Sequence, residues 1–269
     1  MIRMSSHQMT RAFTSESLRP GAHGMGHILN IDHFQMSEPT FPPHPHAGFS
    51  AVTYILPWSE GSFVNRDSHG DRSRVSPGGL HWTLAGSGMI HEEIPEVPGT
   101  RCEGLQIFVK LPEPLELSSP RASRLDPGEV PTARFEGGHA RVLVGRLAGV
   151  ESPMPAYAST TMAHVQVDGR VCLDVPPGLH AFGVVLRGRG RVDGEAAEVH
   201  QAFPAARPTL LLEGDGLHVL IAWSEPMART PTFRGPFCMF RPERLAQAAI
   251  DFAAGTMGRL APSPVAWVR

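Results

Sequence analysis

The chain has 269 residues, enough for one large β domain or two of ordinary size, and either can bury a core. Hydrophobic residues make up 41% and charged residues 19%, with a net charge of −2, a globular profile with no bias toward polyanions such as nucleic acid. Three cysteines, Cys102, Cys172 and Cys238, are odd in number and far apart, which argues against a disulfide framework or a CxxC metal site and for a reducing compartment.

The first residues, "MIRMSSHQMTRAFTSESLRPG", lack the continuous apolar run of a signal peptide, and nothing later approaches a membrane span, so a cytoplasmic protein is expected. From residue 26 to 110 six short β-favouring runs follow: "GHILNIDHF", "GFSAVTYIL", "GSFVNRD", "SRVSPGGLHWTLAG", "GMIHEEIP" and "GLQIFVKLP". Strands at this spacing predict an all-β sandwich or barrel. The next stretch carries Pro112, Pro114, Pro120, Pro127 and Pro131 without a sustained period. It predicts a first domain over residues 1–118, a linker or crossover over 119–133 and a second domain over 134–269.

In the second half the rhythm resumes with "ARVLVGRL", "TTMAHVQVDG", "RVCLDVPP", "HAFGVVLRGRGRVDG", "TLLLEGDG" and "LHVLIAWSEP". The "RGRGR" run at 187–191 reads as a Gly-rich hairpin between strands, not as a nucleic-acid patch. Only "RPERLAQAAIDFAAGTMGRL" has a helical period. Leu245, Ala248, Ala249 and Phe252 share one face, Pro242 stands near the start and Gly255 past the end, which predicts a helix over about 242–254.

Two short motifs carry the chemistry. In "FPPHPHAG", His44 and His46 point to one side if the segment is extended, and Pro43 and Pro45 favour extension. Alone, HxH does not decide between a metal grip and a polar turn. In "GMIHEEIP", His91 and Glu93 repeat the spacing and add one imidazole and one carboxylate. Together they would offer three nitrogens and one oxygen to a divalent ion, with positions left open. On a regular strand Glu92 faces the other way, whereas a bulge would exchange the two glutamates.

The runs "FPPHPHAGFSAVTYIL", "RDS" (66–68), "PGGLHWTLAGSGMIHEEIP", "GLQIFVKLP" and "RGPFCMF…AIDFAAGTMG", in this order, resemble the pirin family of the cupin superfamily. The resemblance implies a bicupin: two stacked jelly-roll barrels with a short C-terminal helix. It also implies one divalent transition metal, iron(II) first and Mn, Ni, Cu, Co or Zn as alternatives, held by His44, His46, His91 and Glu93. Some pirins are similar to flavonol 2,3-dioxygenases, which implies a quercetin-type or other enol substrate cleaved with O2, with Glu93 as ligand and base. The alternative is a non-enzymatic metal and redox sensor that binds a protein partner.

Four positions depart from the pattern. Ala47 and Ser50 stand where pirins commonly have an arginine and a glutamate, which puts substrate contacts in doubt. Gly79 and His81 stand where an aspartate and a glutamine are usual, and His81 is read as a surface residue in preference to a hydrogen-bond donor behind the metal ligands. Cys102, Phe49, Trp82 and Met89 are read as core. His164, His180, His200 and His218 in the second half form no HxH or HxE, and no metal is expected there.

Overall fold

The structure is a computed structural model and describes residues 1–19 and 24–261. Apart from one 3-10 turn (Glu113–Leu115) and one α-helix (Pro242–Ala254), its regular elements are all strands, so the fold is all-β as expected. No helix of the described residues is long and apolar enough to cross a membrane.

Two compact units emerge, and they are interleaved in sequence. One comprises Met1–Ser5, Glu16–Leu29 and Gly128–Met227; the other comprises Ser6–Ser15, Asn30–Pro127 and the segment from Ala228 onward. The expected division after residues 118 and 133 is therefore corrected in two ways. The proline-rich stretch is not a free linker: Arg121–Leu125 extends a sheet beside Leu80–Leu84, and Thr132–Phe135 pairs with Gly138–Val144. The C-terminal helix belongs with the first barrel, because Leu245, Ala248 and Met257 bury themselves against Ala47, Phe237 and Met239.

In the first barrel, one sheet runs in the order Arg121–Leu125, Leu80–Leu84, Phe49–Ile55, Cys102–Lys110, Ile28–Met36, Phe13–Leu18 and Ser5–Thr10. A second sheet orders His44–His46, Met89–Pro95, Phe63–Asp67 and Arg72–Val75. The run "SRVSPGGLHWTLAG" thus yields two strands, because Pro77 and the positive φ of Gly78 break it. Trp82, Tyr54, Phe49, Phe63, Met89, Leu80 and Leu84 are fully buried. Cys102 joins Phe13, Phe34, Ile55, Phe63 and Val75 in an apolar cluster, as a small buried hydrophobe would.

In the other unit the pairs of runs on either side of Gly169 and of Gly214–Gly216 fuse into two long strands, Thr161–Asp174 and Thr209–Ser224. A register shift at Val167/Asp168 accommodates the bend. Their inward residues, Ala163, Val165, Val167, Leu217, Val219 and Ile221, make the core. "RGRGR" is split by Gly188 at φ +79°, and Arg189–Val192 forms a hairpin with Glu195–Glu198.

The helix starts at Pro242 and ends at Gly255, whose φ of +74° supplies the left-handed cap. Leu245 and Ala248 are buried and Ala249 is half-buried. Phe252 departs from the expected face: it is 43% exposed and meets Phe237 edge-on at 6.2 Å.

A candidate metal centre in the first barrel

His44, His46 and His91 converge. The short strand His44–His46 pairs antiparallel with Met89–Pro95, setting His44 opposite His91 and His46 opposite Met89. Alternation then points His44, His46 and His91 to one side. Their ring centroids form a nearly equilateral triangle, with separations of 4.7, 4.8 and 4.9 Å, and one donor atom from each lies within 4.8 Å of the others.

The chain leading into this triangle is pinned. Gly48 holds φ at +82°, and a Cβ there would stand 2.2 Å from the Cys238 carbonyl, so the turn after His46 requires glycine. Ala47 is fully buried against Phe237, Met239 and Leu245, and pairs with Phe237. An arginine there would have to displace the C-terminal segment. Ser50 lies on the other side of its strand from Phe49 and Thr53, and its buried hydroxyl has no hydrogen-bond partner among the described residues.

The ladder between Met89–Pro95 and Phe63–Asp67 is regular, pairing His91 with Asp67, Glu92 with Arg66 and Glu93 with Asn65. With no bulge, Glu93 shares the face of His91, and Glu92 turns away to bind the Arg66 guanidinium. Glu93 lies outside the group of mutually close donors formed by the three histidines. Its Oε1 accepts a hydrogen bond from Thr53 Oγ1, which lies 3.1 Å from Gln106 Oε1. Burial raises the Glu93 carboxyl above its ordinary pKa, opposed by His81 and by the Thr53 hydrogen bond.

Two of the imidazoles are held by hydrogen bonds at Nδ1. His44 Nδ1 lies 2.9 Å from the Pro42 carbonyl and His91 Nδ1 3.3 Å from Asn65 Oδ1, while the Pro236 carbonyl acts on His46. For His44 and His91 this leaves Nε2 as the donor, the arrangement a metal-binding imidazole needs. Phe49 and Phe108 flank His46 at 4.9 and 5.4 Å between centroids, and the half-exposed Phe233 lies 6.1 Å from Phe49. Phe49 is thus both core and wall.

His81 was expected at the surface; it is fully buried. Its Nε2 lies 3.2 Å from Asp71 Oδ2 and its Nδ1 3.4 Å from Thr83 Oγ1. The patterns around the motifs did not mark Thr53, Asn65, Asp71 or Phe108, because Thr53, Asn65 and Phe108 are single residues brought in from three different strands and Asp71 comes from a turn.

Burial keeps the three histidines neutral. It lowers the His46 pKa to about 3, with repulsion from His44 adding to the effect, lowers His91 well below its usual value, and lowers His44. Neutral imidazole is the form that binds metal. The unfolded chain takes up these protons near pH 6.5, and the folded chain resists them until far lower. For His46 the resulting stability is fully present above about pH 6.5 and is lost as pH falls toward 3, at about 1.4 kcal/mol per pH unit, and His44 and His91 act in the same direction. Urea denaturation of the metal-free protein is expected to show a midpoint falling steeply from pH 6.5 to 4. The slope should be shallower in His46→Phe; equal slopes would contradict the assignment.

With this geometry in place, two family descriptions match the chain: Pirin over residues 3–109 and Pirin C-terminal cupin domain over residues 161–258. The chain belongs to the pirin family. A Pseudomonas aeruginosa protein named as a candidate quercetin 2,3-dioxygenase is 30% identical, over 86% of each chain. A quercetin 2,3-dioxygenase structure from Acinetobacter baumannii superposes with a TM-score of 0.85 at 22% identity, covering 97% of both chains. An Escherichia coli pirin solved with nickel(II) superposes with a TM-score of 0.67 at 16% identity, covering 83% of this pirin and 96% of the other. The two structural matches support the two-cupin fold of this pirin.

Proposed function

We propose that this pirin is a metal-dependent dioxygenase that cleaves a flavonol of the quercetin type, or a similar enol, with O2. The observation that carries the reading is the triangle of buried, neutral imidazoles with a carboxylate on the same strand face. His44, His46, His91 and Glu93 would hold one divalent transition metal, with iron(II) the first choice. Three imidazoles and a carboxylate suit a first-row ion with open positions. The Pseudomonas and Acinetobacter proteins carry quercetin dioxygenase names, and the E. coli pirin binds nickel(II), all in keeping with this reading.

When bound, the metal acidifies the substrate hydroxyl and brings substrate and O2 together. The remaining work falls to side chains. Glu93 takes the proton of the enol hydroxyl on a carboxylate oxygen. Thr53 donates to Glu93 Oε1 and so aims the carboxylate. Phe49 and Phe108 supply flat apolar faces beside His46, and Phe233 one beside Phe49, for a planar substrate. Three free cysteines suit the reducing cytoplasm, where we place the reaction.

Oxygen-electrode assays on a flavonol panel, with carbon monoxide measured in the headspace, test the reading. The metal-loaded protein is expected to consume O2 with at least one flavonol, and Glu93→Gln to abolish uptake. Metal-loaded protein that consumes no O2 with any of them would overturn it and favour the regulatory alternative.

A further inference from the structure

Behind His91 lies a buried polar chain that the metal-binding motifs do not contain. His91 Nδ1 faces Asn65 Oδ1 at 3.3 Å, and the Asn65 side chain is fully buried. Asn65 Nδ2 donates to Asp71 Oδ2 at 2.8 Å, which fixes the orientation of the amide: its oxygen must face His91. The same Asp71 oxygen accepts from His81 Nε2 at 3.2 Å, and Asp71 Oδ1 accepts from Ser73 Oγ at 2.7 Å. Asp71 also takes part in the turn that closes the Phe63–Asp67 and Arg72–Val75 hairpin, where its backbone N–H donates to Asp67 Oδ1. Its carboxylate therefore sits on a rigid corner, two hydrogen bonds from a metal-binding imidazole.

We propose that Asp71 is a positioning residue for the metal centre, acting through Asn65 on the His91 ring, with His81 holding the carboxylate in place. The proposal rests on the metal-centre reading above. An acceptor at His91 Nδ1 selects the tautomer with the proton on Nδ1 and leaves the Nε2 lone pair toward His44 and His46. An anionic acceptor behind the amide strengthens that donation, and makes the imidazole a better ligand for a cation. Burial alone would raise the Asp71 carboxyl, but hydrogen bonds from His81, Ser73 and Asn65 outweigh it and hold it at about 2, so the group is anionic throughout the working pH range.

The test titrates the metal-free full-length chain with Co(II) by calorimetry. It also records the hyperfine-shifted exchangeable imidazole N–H signals of the Co(II) form. Asp71→Ala is expected to bind Co(II) about 10- to 100-fold more weakly, the range typical for losing a group behind a ligand. One shifted N–H signal should exchange faster while the others keep their positions. Asp71→Asn retains an acceptor for Asn65 and should fall between the two; it carries the test if Asp71→Ala does not fold. Unchanged affinity and unchanged N–H exchange in either folded variant would overturn the proposal while leaving the metal centre standing. An unmodified chain that binds no Co(II) would overturn both.

Discussion

Glu116→Gln is expected to destabilise the protein by about 3–5 kcal/mol, the cost of leaving a buried charge without its partner. Lys110 is the one lysine in the chain and is fully buried. Its ammonium donates to Glu116 Oε1 at 2.6 Å, to the Gly48 carbonyl at 2.7 Å and to the Leu111 carbonyl at 3.1 Å, and stands 4.3 Å from the Phe240 ring. Glu116, also fully buried, accepts in addition from the Phe240 backbone N–H and from Arg244. Burial lowers the Lys110 pKa and Glu116 pulls it back up, so removing the carboxylate leaves only the penalty.

This network joins three distant parts of the chain: the turn behind His46, the end of the Cys102–Lys110 strand, and the segment leading into the helix. Lys110→Met in the Glu116→Gln background should therefore recover part of the loss, because it removes the buried ammonium whose counter-charge is gone. Urea denaturation of the single and double variants checks this. A Glu116→Gln cost below about 1 kcal/mol would mean that the Gly48 and Leu111 carbonyls, with water, are enough to hold the ammonium without the carboxylate.

His46→Ala is expected to weaken metal binding beyond the 10- to 100-fold typical of losing an outer partner, because it removes one of three converging donors. His46 is also the imidazole in contact with Phe49 and Phe108, so the substitution opens a gap in the aromatic wall. Calorimetric titration with Co(II), with circular dichroism to verify folding, separates a lost ligand from a lost fold. Retention of full affinity by a folded His46→Ala protein would remove His46 from the ligand set.

How much of this was legible in the sequence differs between the fold and the site. HPH and HEE are local patterns, and period-two alternation places their side chains without knowledge of the rest of the molecule. The regular pairing of Glu92 with Arg66 and Glu93 with Asn65 then resolves which glutamate shares the face of His91. Asn65, Asp71 and His81 carry no local pattern. Asn65 reaches His91 across 26 positions; Asn65 and His81 look like isolated polar residues on strands, and Asp71 like an ordinary turn residue.

The return of residues 228 onward to the first barrel was hidden for a similar reason. The helical period of Leu245 and Ala248 announces a buried face and does not say against what. The answer lies in Ala47 and Gly48, nearly two hundred residues earlier, whose small size makes room for Phe237, Met239 and the Cys238 carbonyl. The same fit explains the alanine in "HPHAG": at a position with no exposed surface and a neighbouring strand against it, a long charged side chain has no way out to water.

Metal analysis of the protein purified without chelators or added metal decides whether His44, His46 and His91 form a metal centre. Close to one equivalent of a first-row transition metal per chain is expected, lost in a triple variant in which all three histidines are replaced by alanine. No metal above background in the unmodified protein, or the same content in the triple variant, would contradict it.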